Sequence, residues 1–344
     1  MPDRLSRNEQ ATSAFDELRH AVARNPNLQD AVDPLLTSWS HAARWSFGSS
    51  RATQSTFLSA DVMGAVLRYL RRNPSLALGV ALLMAIALFV IVGSLVVDPE
   101  DARPLSAPTL QPPSQDYPLG TDRQGRDLLA VMVVGTPLTL RIGFIAGFIG
   151  VGLGAVLAFV AAYYRGIADT LIRGIADIGL TVPGLLVLIL IAVSIKGTLT
   201  VNQMAIVVAS LAWLYPTRTI RAQVLSLRER GYVEMARLSG MSGPSIIFVE
   251  LLPNLLPYLG ATLVNAVSAA ILASIGLEVL GLGPIDTPTL GMTLYWVNFN
   301  AAMINGWWWW WLAPTVIILT VFLGLFFLTV GLDEIANPRL RRSA

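Results

Sequence analysis

Cysteine is absent from the 344 residues. No disulfide, thiolate nucleophile or cysteine-ligated metal site can be built from this chain. Histidine is nearly absent: His20 and His41 both precede the first long apolar run. That excludes a histidine-based zinc centre and a Ser–His dyad from the apolar part of the chain. Lysine occurs once, as Lys196 between Ile195 and Gly197, and the other 23 basic residues are arginine. A Walker A loop needs Gly-Lys followed by Ser or Thr around nucleotide phosphates. Any ATP hydrolysis coupled to this protein therefore belongs to another chain. Charge itself is scarce, at 13% of residues against roughly 25% in a soluble domain. A formal net charge of +2 is too small to attract nucleic acid.

What is abundant is apolar. Hydrophobic residues make up 54% of the chain and the mean hydropathy is +0.61, which points to a protein crossing a membrane several times. Residues 1–73 are polar, with nine arginines and seven acidic residues. The first apolar run begins near residue 74, too late for a signal peptide. Phe15, Leu18 and Val22 are spaced as one face of a short helix over 8–24. Val62, Val66 and Tyr69 do the same over 61–72, where Arg68, Arg71 and Arg72 supply a basic end. That pattern suits an amphipathic helix lying on the membrane surface, with a solvated basic flank as the plainer reading. Six spans are expected, at about 75–97, 138–163, 178–195, 203–215, 255–280 and 312–332. Pro183 lies inside the third and Pro216 ends the fourth. A proline-rich loop over 98–137 separates the first two.

The arginines set the orientation. With the N-terminus inside, 19 of the 24 basic residues fall on cytoplasmic segments and four outside: Arg103, Arg123, Arg126 and Lys196. That split favours six spans with both termini in the cytoplasm. The expected divisions are an N-terminal extension (1–60), an interfacial helix (61–73), the first span with its outer loop (74–137), a five-span core (138–332) and a cytoplasmic tail (333–344).

Small residues mark one face of the second span: Gly143, Gly147, Gly150, Gly154, Ala158 and Ala161. Such a stripe lets helix backbones approach in lipid; a substrate-lining groove is the alternative. Residues 307–311 are five consecutive tryptophans, which wrap around a helix and suit an outer-interface anchor or, less simply, a stacking platform at the outer mouth. Arg141 and Glu278 are ionisable groups near the expected outer ends of spans, where they either reach the interface or serve function.

The segment from Gly231 to Pro253 reads as helix, break, helix. Residues 232–239 can be helical, Gly240 fits the left-handed position that ends a helix, and Pro244 fits the first turn of the next. Such a helix across the cytoplasmic face is a handle for a soluble partner. Glu234-Met235-Ala236, Gly240 and Leu252-Pro253 resemble the EAA loop of ABC importer permeases, whose pattern is Glu-Ala-Ala, three residues, Gly, nine residues, Ile, one residue, Leu-Pro. The spacing agrees throughout, with Met235 in place of the first Ala and Glu250 in place of Ile. Pro118-Leu119-Gly120-Thr121-Asp122, followed by Gly125-Arg126-Asp127, resembles a signature of dipeptide and oligopeptide permeases. It precedes the second span, as in the C-type subunit, with Tyr117 where His is frequent. The segment from Asn337 to Arg341 is also similar to that subfamily's end. The resemblance covers about residues 74–342.

The resemblance implies an all-α, six-span permease subunit of a type I ABC importer in the bacterial plasma (inner) membrane, with its coupling loop at 217–254. It implies a second permease of similar fold, two ATPase subunits carrying ATP and magnesium, an extracytoplasmic solute-binding protein and the lipid bilayer as partners. No cofactor on this chain and no nucleic acid are expected. Tyr232, Glu234, Met235, Ala236, Gly240, Leu252 and Pro253 would form the ATPase-coupling site, with Glu234 meeting a basic ATPase residue. Peptides are the implied cargo, although relatives move oligosaccharides and nickel complexes. An ATP-independent channel or carrier would need mid-membrane ionisable residues or an inverted repeat, neither of which stands out. An intramembrane enzyme would have only carboxylates to work with.

Overall fold

The computed structural model describes residues 70–71 and 73–336. The helix expected over 8–24, nearly all of that over 61–72, the 1–60 extension and the segment from Asn337 onward lie outside the described residues. Among the described residues the regular structure is helical, with one isolated antiparallel bridge between Thr121 and Asp127.

Helix α1 (Pro74–Val96) starts on a proline, which costs nothing in a first turn. It is apolar all round and exposes Met84, Leu88, Ile91 and Leu95, as a lipid-facing helix does. Its inner side meets α10 (Trp308–Ala336) through glycines. A Cβ on Gly79 would strike the α10 backbone at Leu328 and Gly324, and one on Gly331 would strike Leu76. Without a hydrophobic drive inside lipid, this close approach supplies the dispersion energy that holds the two helices together.

Helix α2 (Leu128–Tyr164) is 37 residues long, about 55 Å at 1.5 Å per residue. It exceeds the roughly 30 Å hydrocarbon thickness. The outer loop expected to extend to residue 137 ends at Asp127, whose carboxylate caps α2 by accepting from the Leu129 amide at 3.0 Å. Pro137 lies inside the helix rather than before it, because membrane helices tolerate an internal proline when neighbours satisfy the freed backbone.

The third expected span is broken. Helices α3 (Gly166–Thr181) and α4 (Gly184–Ser194) meet at 89°, with Val182 extended and Pro183 at the bend. Proline disfavours helical backbone in the residue before it, which places the break. Helix α5 (Val201–Ala212) opens with a capping box between Thr200 and Gln203. After the single residue Trp213 the chain re-enters a helix, α6 (Leu214–Arg228). Pro216 thus sits in the first turn of α6 instead of terminating a span, since a first-turn residue has no helical acceptor to lose.

Helix α7 (Gly231–Leu238) precedes α8 (Gly243–Val279), and a short helix not expected from the sequence, α9 (Leu290–Phe299), stands between α8 and α10. Among the described residues four helices are long and apolar enough to cross a membrane: α1, α2, α8 and α10. The bent pair α3–α4 makes a fifth if it counts as one span. Helix α5 is apolar but only 12 residues long. Among the described residues three apolar clusters surround α2 beyond its first residue. One joins it to α1, α8 and α10, a second to α4, α5 and α8, and a third to α6, α7 and α8.

Candidate functional site

The loop expected on the cytoplasmic side is built around α7. Val233 is fully buried and Ala236 nearly so, in a cluster with Ile246 and Leu251 from the start of α8. The other positions face outward. Met235 is 65% exposed and Leu238 79%, too much apolar surface to leave in water for no gain. Glu234 is exposed beside them and makes no ion pair among the described residues. Partial desolvation pushes the Tyr232 phenol above its ordinary range. The helix ends in a Schellman turn: the Gly240 amide donates to the Arg237 carbonyl and the Met241 amide to the Ala236 carbonyl, both at 3.1 Å. Gly240 takes φ +79°, the left-handed backbone this turn requires.

Beyond the turn, residues Ile246–Leu251 widen into π-helix, with the Leu252 amide donating to Ile247, five residues back. This one-turn widening sits immediately before Pro253, which has no amide to donate. The Asn254 side chain donates to the Glu250 carbonyl at 2.6 Å, one turn back. Leu252 and Pro253 thus begin the regular part of α8, and Glu250 sits half-buried in the π turn.

Ion pairs tie α3 to α6 on this side. Arg221 meets Asp169 through two bonds, Nε–Oδ1 at 2.5 Å and Nη2–Oδ2 at 2.6 Å. Arg218 approaches Asp177 at 3.8 Å, and Arg165 binds Glu229 at 2.7 Å. Arg228 donates to the Ala162 and Tyr163 carbonyls at the end of α2.

At the other end, the segment expected as a proline-rich loop is an ordered plug on the start of α2. Gly120 and Gly125 take φ of +76° and +70°. Thr121 donates to the Pro108 carbonyl at 2.6 Å and accepts from the Gln111 amide. Asp122, fully buried, accepts from the Gln124 and Arg126 amides and from Arg126 Nε at 2.6 Å. Burial raises the Asp127 carboxyl above the usual carboxylate range, against the pull of its bond from Leu129. The tryptophans serve this plug. Trp310 is fully buried and Trp309 Nε1 donates to the Thr121 carbonyl at 3.2 Å, while Trp308 alone among the five is more than half exposed. Four of the five rings turn onto protein: those of Trp307, Trp309, Trp310 and Trp311 join a cluster with Leu128 and Val297.

The glycine stripe of α2 lies against two neighbours. A Cβ at Gly143 or Gly147 would collide with Ile271 and Val267 of α8; one at Gly150 or Gly154 would meet the backbone around Ala212 and Trp213 at the α5–α6 junction. Ala158 and Ala161 are fully buried. On the open side of these helices lies a cavity of about 830 Å³ between the α3–α4 bend, α5, α6 and α8. Its walls are mainly apolar, with Tyr215, Thr262 and Asn265 as polar points.

Glu278 does not reach the interface. It is fully buried, and its Oε2 accepts from the Thr289 hydroxyl at 2.6 Å. Gly283 and Gly291 leave room for it: a Cβ at either would strike the Glu278 side chain. Thr289 also caps α9 by accepting from the Met292 amide, and the adjacent Leu290 amide donates to Thr139 of α2 at 2.9 Å. Glu278 stands out in the sequence as an ionisable group in a span, but its partners do not: Thr139 is 151 residues from Leu290, and they meet through a helix that carries no strong pattern of its own. Arg141 is exposed and makes no ion pair among the described residues. Among those residues no three His, Asp or Glu side chains gather as a metal site.

Comparison with known proteins agrees with this architecture. Residues 150–342 match the family model described as binding-protein-dependent transport system inner membrane component. The chain is 28% identical over 277 residues to the oligopeptide transport system permease protein OppC of Mycobacterium tuberculosis, covering 80% of this chain and 94% of that one. It is 28% identical over 281 residues to the dipeptide transport system permease protein DppC of Haemophilus influenzae, with the same coverage. It is 30% identical over 275 residues to DppC of Alkalihalophilus pseudofirmus, covering 80% and 89%.

Proposed function

The chain belongs to the family of binding-protein-dependent transport system inner membrane components, and from that premise we propose that it is one of two permease subunits of an ATP-driven peptide importer in a bacterial plasma (inner) membrane. Peptide is the cargo because the similar proteins named above are oligopeptide and dipeptide permeases. The remaining partners are a second permease, two ATPase subunits that hold ATP and magnesium, and an extracytoplasmic solute-binding protein. Six spans with both termini inside fit if α3–α4 forms one bent span and α5 with α6 forms another.

The observation that carries the reading is α7. Two inward residues fix it to the body, while Met235, Leu238 and an unpaired Glu234 face outward. That is an apolar docking surface with one charge to set register. Tyr232, Glu234, Met235, Ala236 and Gly240 form the docking element, and Leu252-Pro253 begins the span that it moves. ATP-driven closure of the partners would shift α7, and with it α8, between two states of differing nucleotide affinity. The cavity beside the α3–α4 bend would then form half of a pathway completed by the second permease.

The test is Glu234→Arg in the complete transporter. ATP-dependent peptide uptake into proteoliposomes falls by about tenfold or more, as expected for reversing a charge at an interface, while the complex still assembles and inserts. Full uptake by an inserted variant removes Glu234 from this role. Mass spectrometry of the cargo on the co-purified binding protein checks the peptide assignment.

A further inference from the structure

Between α2, the α4–α5 loop and the α8–α9 loop lies a second cavity of about 360 Å³, with polar side chains set among Leu138, Leu199 and Val201. Arg141 projects from α2, Thr198 and Asn202 flank the start of α5, and Asp286 and Thr287 come from the α8–α9 loop. Arg141 and Asp286 both line this cavity, both are exposed, and they form no ion pair with each other. Neither makes a side-chain hydrogen bond among the described residues, and the same holds for Thr198, Asn202 and Thr287. Opposite charges left separate in one small concavity are matched to a ligand that carries both charges itself.

The walls are held in place by buried bonds. Glu278 accepts from Thr289, two residues after Thr287, and Thr139, two residues before Arg141, accepts from the Leu290 amide. Thr139, Glu278 and Thr289 are all essentially solvent-free. The loop bearing Asp286 is therefore pinned to the helix bearing Arg141, so that a ligand meets a site already arranged. The volume is within the range of small-molecule sites.

We propose that this outer cleft binds a short peptide as a zwitterion, with Arg141 holding the C-terminal carboxylate, Asp286 the N-terminal ammonium, and the Thr198, Asn202 and Thr287 side chains the amides between. The proposal rests on the reading of the chain as a peptide importer subunit and assigns an entry station for its cargo. A planar guanidinium suits a carboxylate through paired bonds, and a free peptide carries an ammonium for Asp286 at neutral pH.

The experiment is saturation-transfer NMR of the dipeptide Ala-Phe with the complete permease–ATPase complex in nanodiscs, without binding protein. The expected result is a signal that weakens about tenfold in Arg141→Ala, as for loss of a charged hydrogen-bonded pair, and returns in part with Arg141→Lys. C-terminal amidation of the ligand should weaken the wild-type signal equally and have no further effect in Arg141→Ala. N-acetylation should behave the same way toward Asp286→Ala. Equal signals from free and blocked dipeptide in the wild type overturn the proposal. So does an unchanged dipeptide signal in Arg141→Ala accompanied by weaker capture of the binding protein, which would make the cleft a docking contact. ATP-dependent uptake of Ala-Phe by the wild type with its binding protein is measured in parallel. If that uptake is absent, the importer reading fails and this proposal with it; if it is present without charge-selective contact, only the cleft assignment fails.

Discussion

Gly240 shows how one residue sets the geometry of the proposed coupling loop. Its φ of +79° closes the turn after α7, and no atom lies near where its Cβ would be. Any effect of substitution is therefore backbone strain, roughly 1–2 kcal/mol for an L-residue in the left-handed region. Gly240→Val should lower ATP-dependent uptake several-fold at equal membrane insertion. Gly240→Asn should lose less, because asparagine tolerates that conformation. Equal losses in the two variants would assign the effect to bulk rather than to φ. Glu278 is the opposite case, a residue defined by its partners. Glu278→Leu strands the Thr289 hydroxyl in a dry site, at about 1–3 kcal/mol. The purified protein should melt at a lower temperature in detergent, and Glu278→Gln, which keeps an acceptor for Thr289, should melt between Glu278→Leu and wild type.

Helix α6 leads into α7, and α3 leads into the bend at Pro183, so the Arg221–Asp169 pair connects the proposed coupling loop to the wall of the larger cavity. A partly exposed pair of this kind is worth no more than about 1 kcal/mol in stability. Its loss should appear in coupling rather than in melting. Arg221→Asp should reduce the stimulation of ATPase activity by loaded binding protein, and Asp169→Arg in the same chain should restore it; failure of the double exchange to recover would sever this link. The elements differ in how far sequence reveals them. The α7 turn is readable because a Schellman motif is local, spelled by Gly240 and its spacing. The 89° bend is readable only as a break at Pro183, since its angle depends on what the two helices pack against. The start of α2 is obscured because Pro137 looks like a stop, whereas the cap at Asp127 and the tolerance of membrane helices for proline carry the helix outward. The tryptophan run gives no hint of which rings turn inward, because that depends on the distant signature loop around Thr121. The Glu278 cluster joins α2, α8 and α9 through residues that no periodicity connects.

At the scale of the whole molecule, the arginine distribution and the broken helices make a joint claim about topology. If α3–α4 crosses the membrane as one bent span, Lys196 in the following loop is outside. If the 89° bend marks a re-entrant loop, Lys196 returns to the cytoplasmic side. The 19-to-4 division of basic residues favours crossing, and the length of α5 with α6, 27 residues in the two helices, is enough to cross back. The absence of native cysteine makes the question directly measurable. Single cysteines replacing Ser114, Lys196, Ser239 and Asn305, all exposed, can be probed in intact cells with a membrane-impermeant maleimide. Six spans require labelling at 114, 196 and 305 from outside, and at 239 only after permeabilisation. Protection at 196 with labelling at 114 and 305 would make α3–α4 re-entrant. It would also put the polar cleft, which the 198–202 segment helps to line, out of reach of extracytoplasmic cargo, so the same labelling pattern bears on both the topology and the proposed entry station.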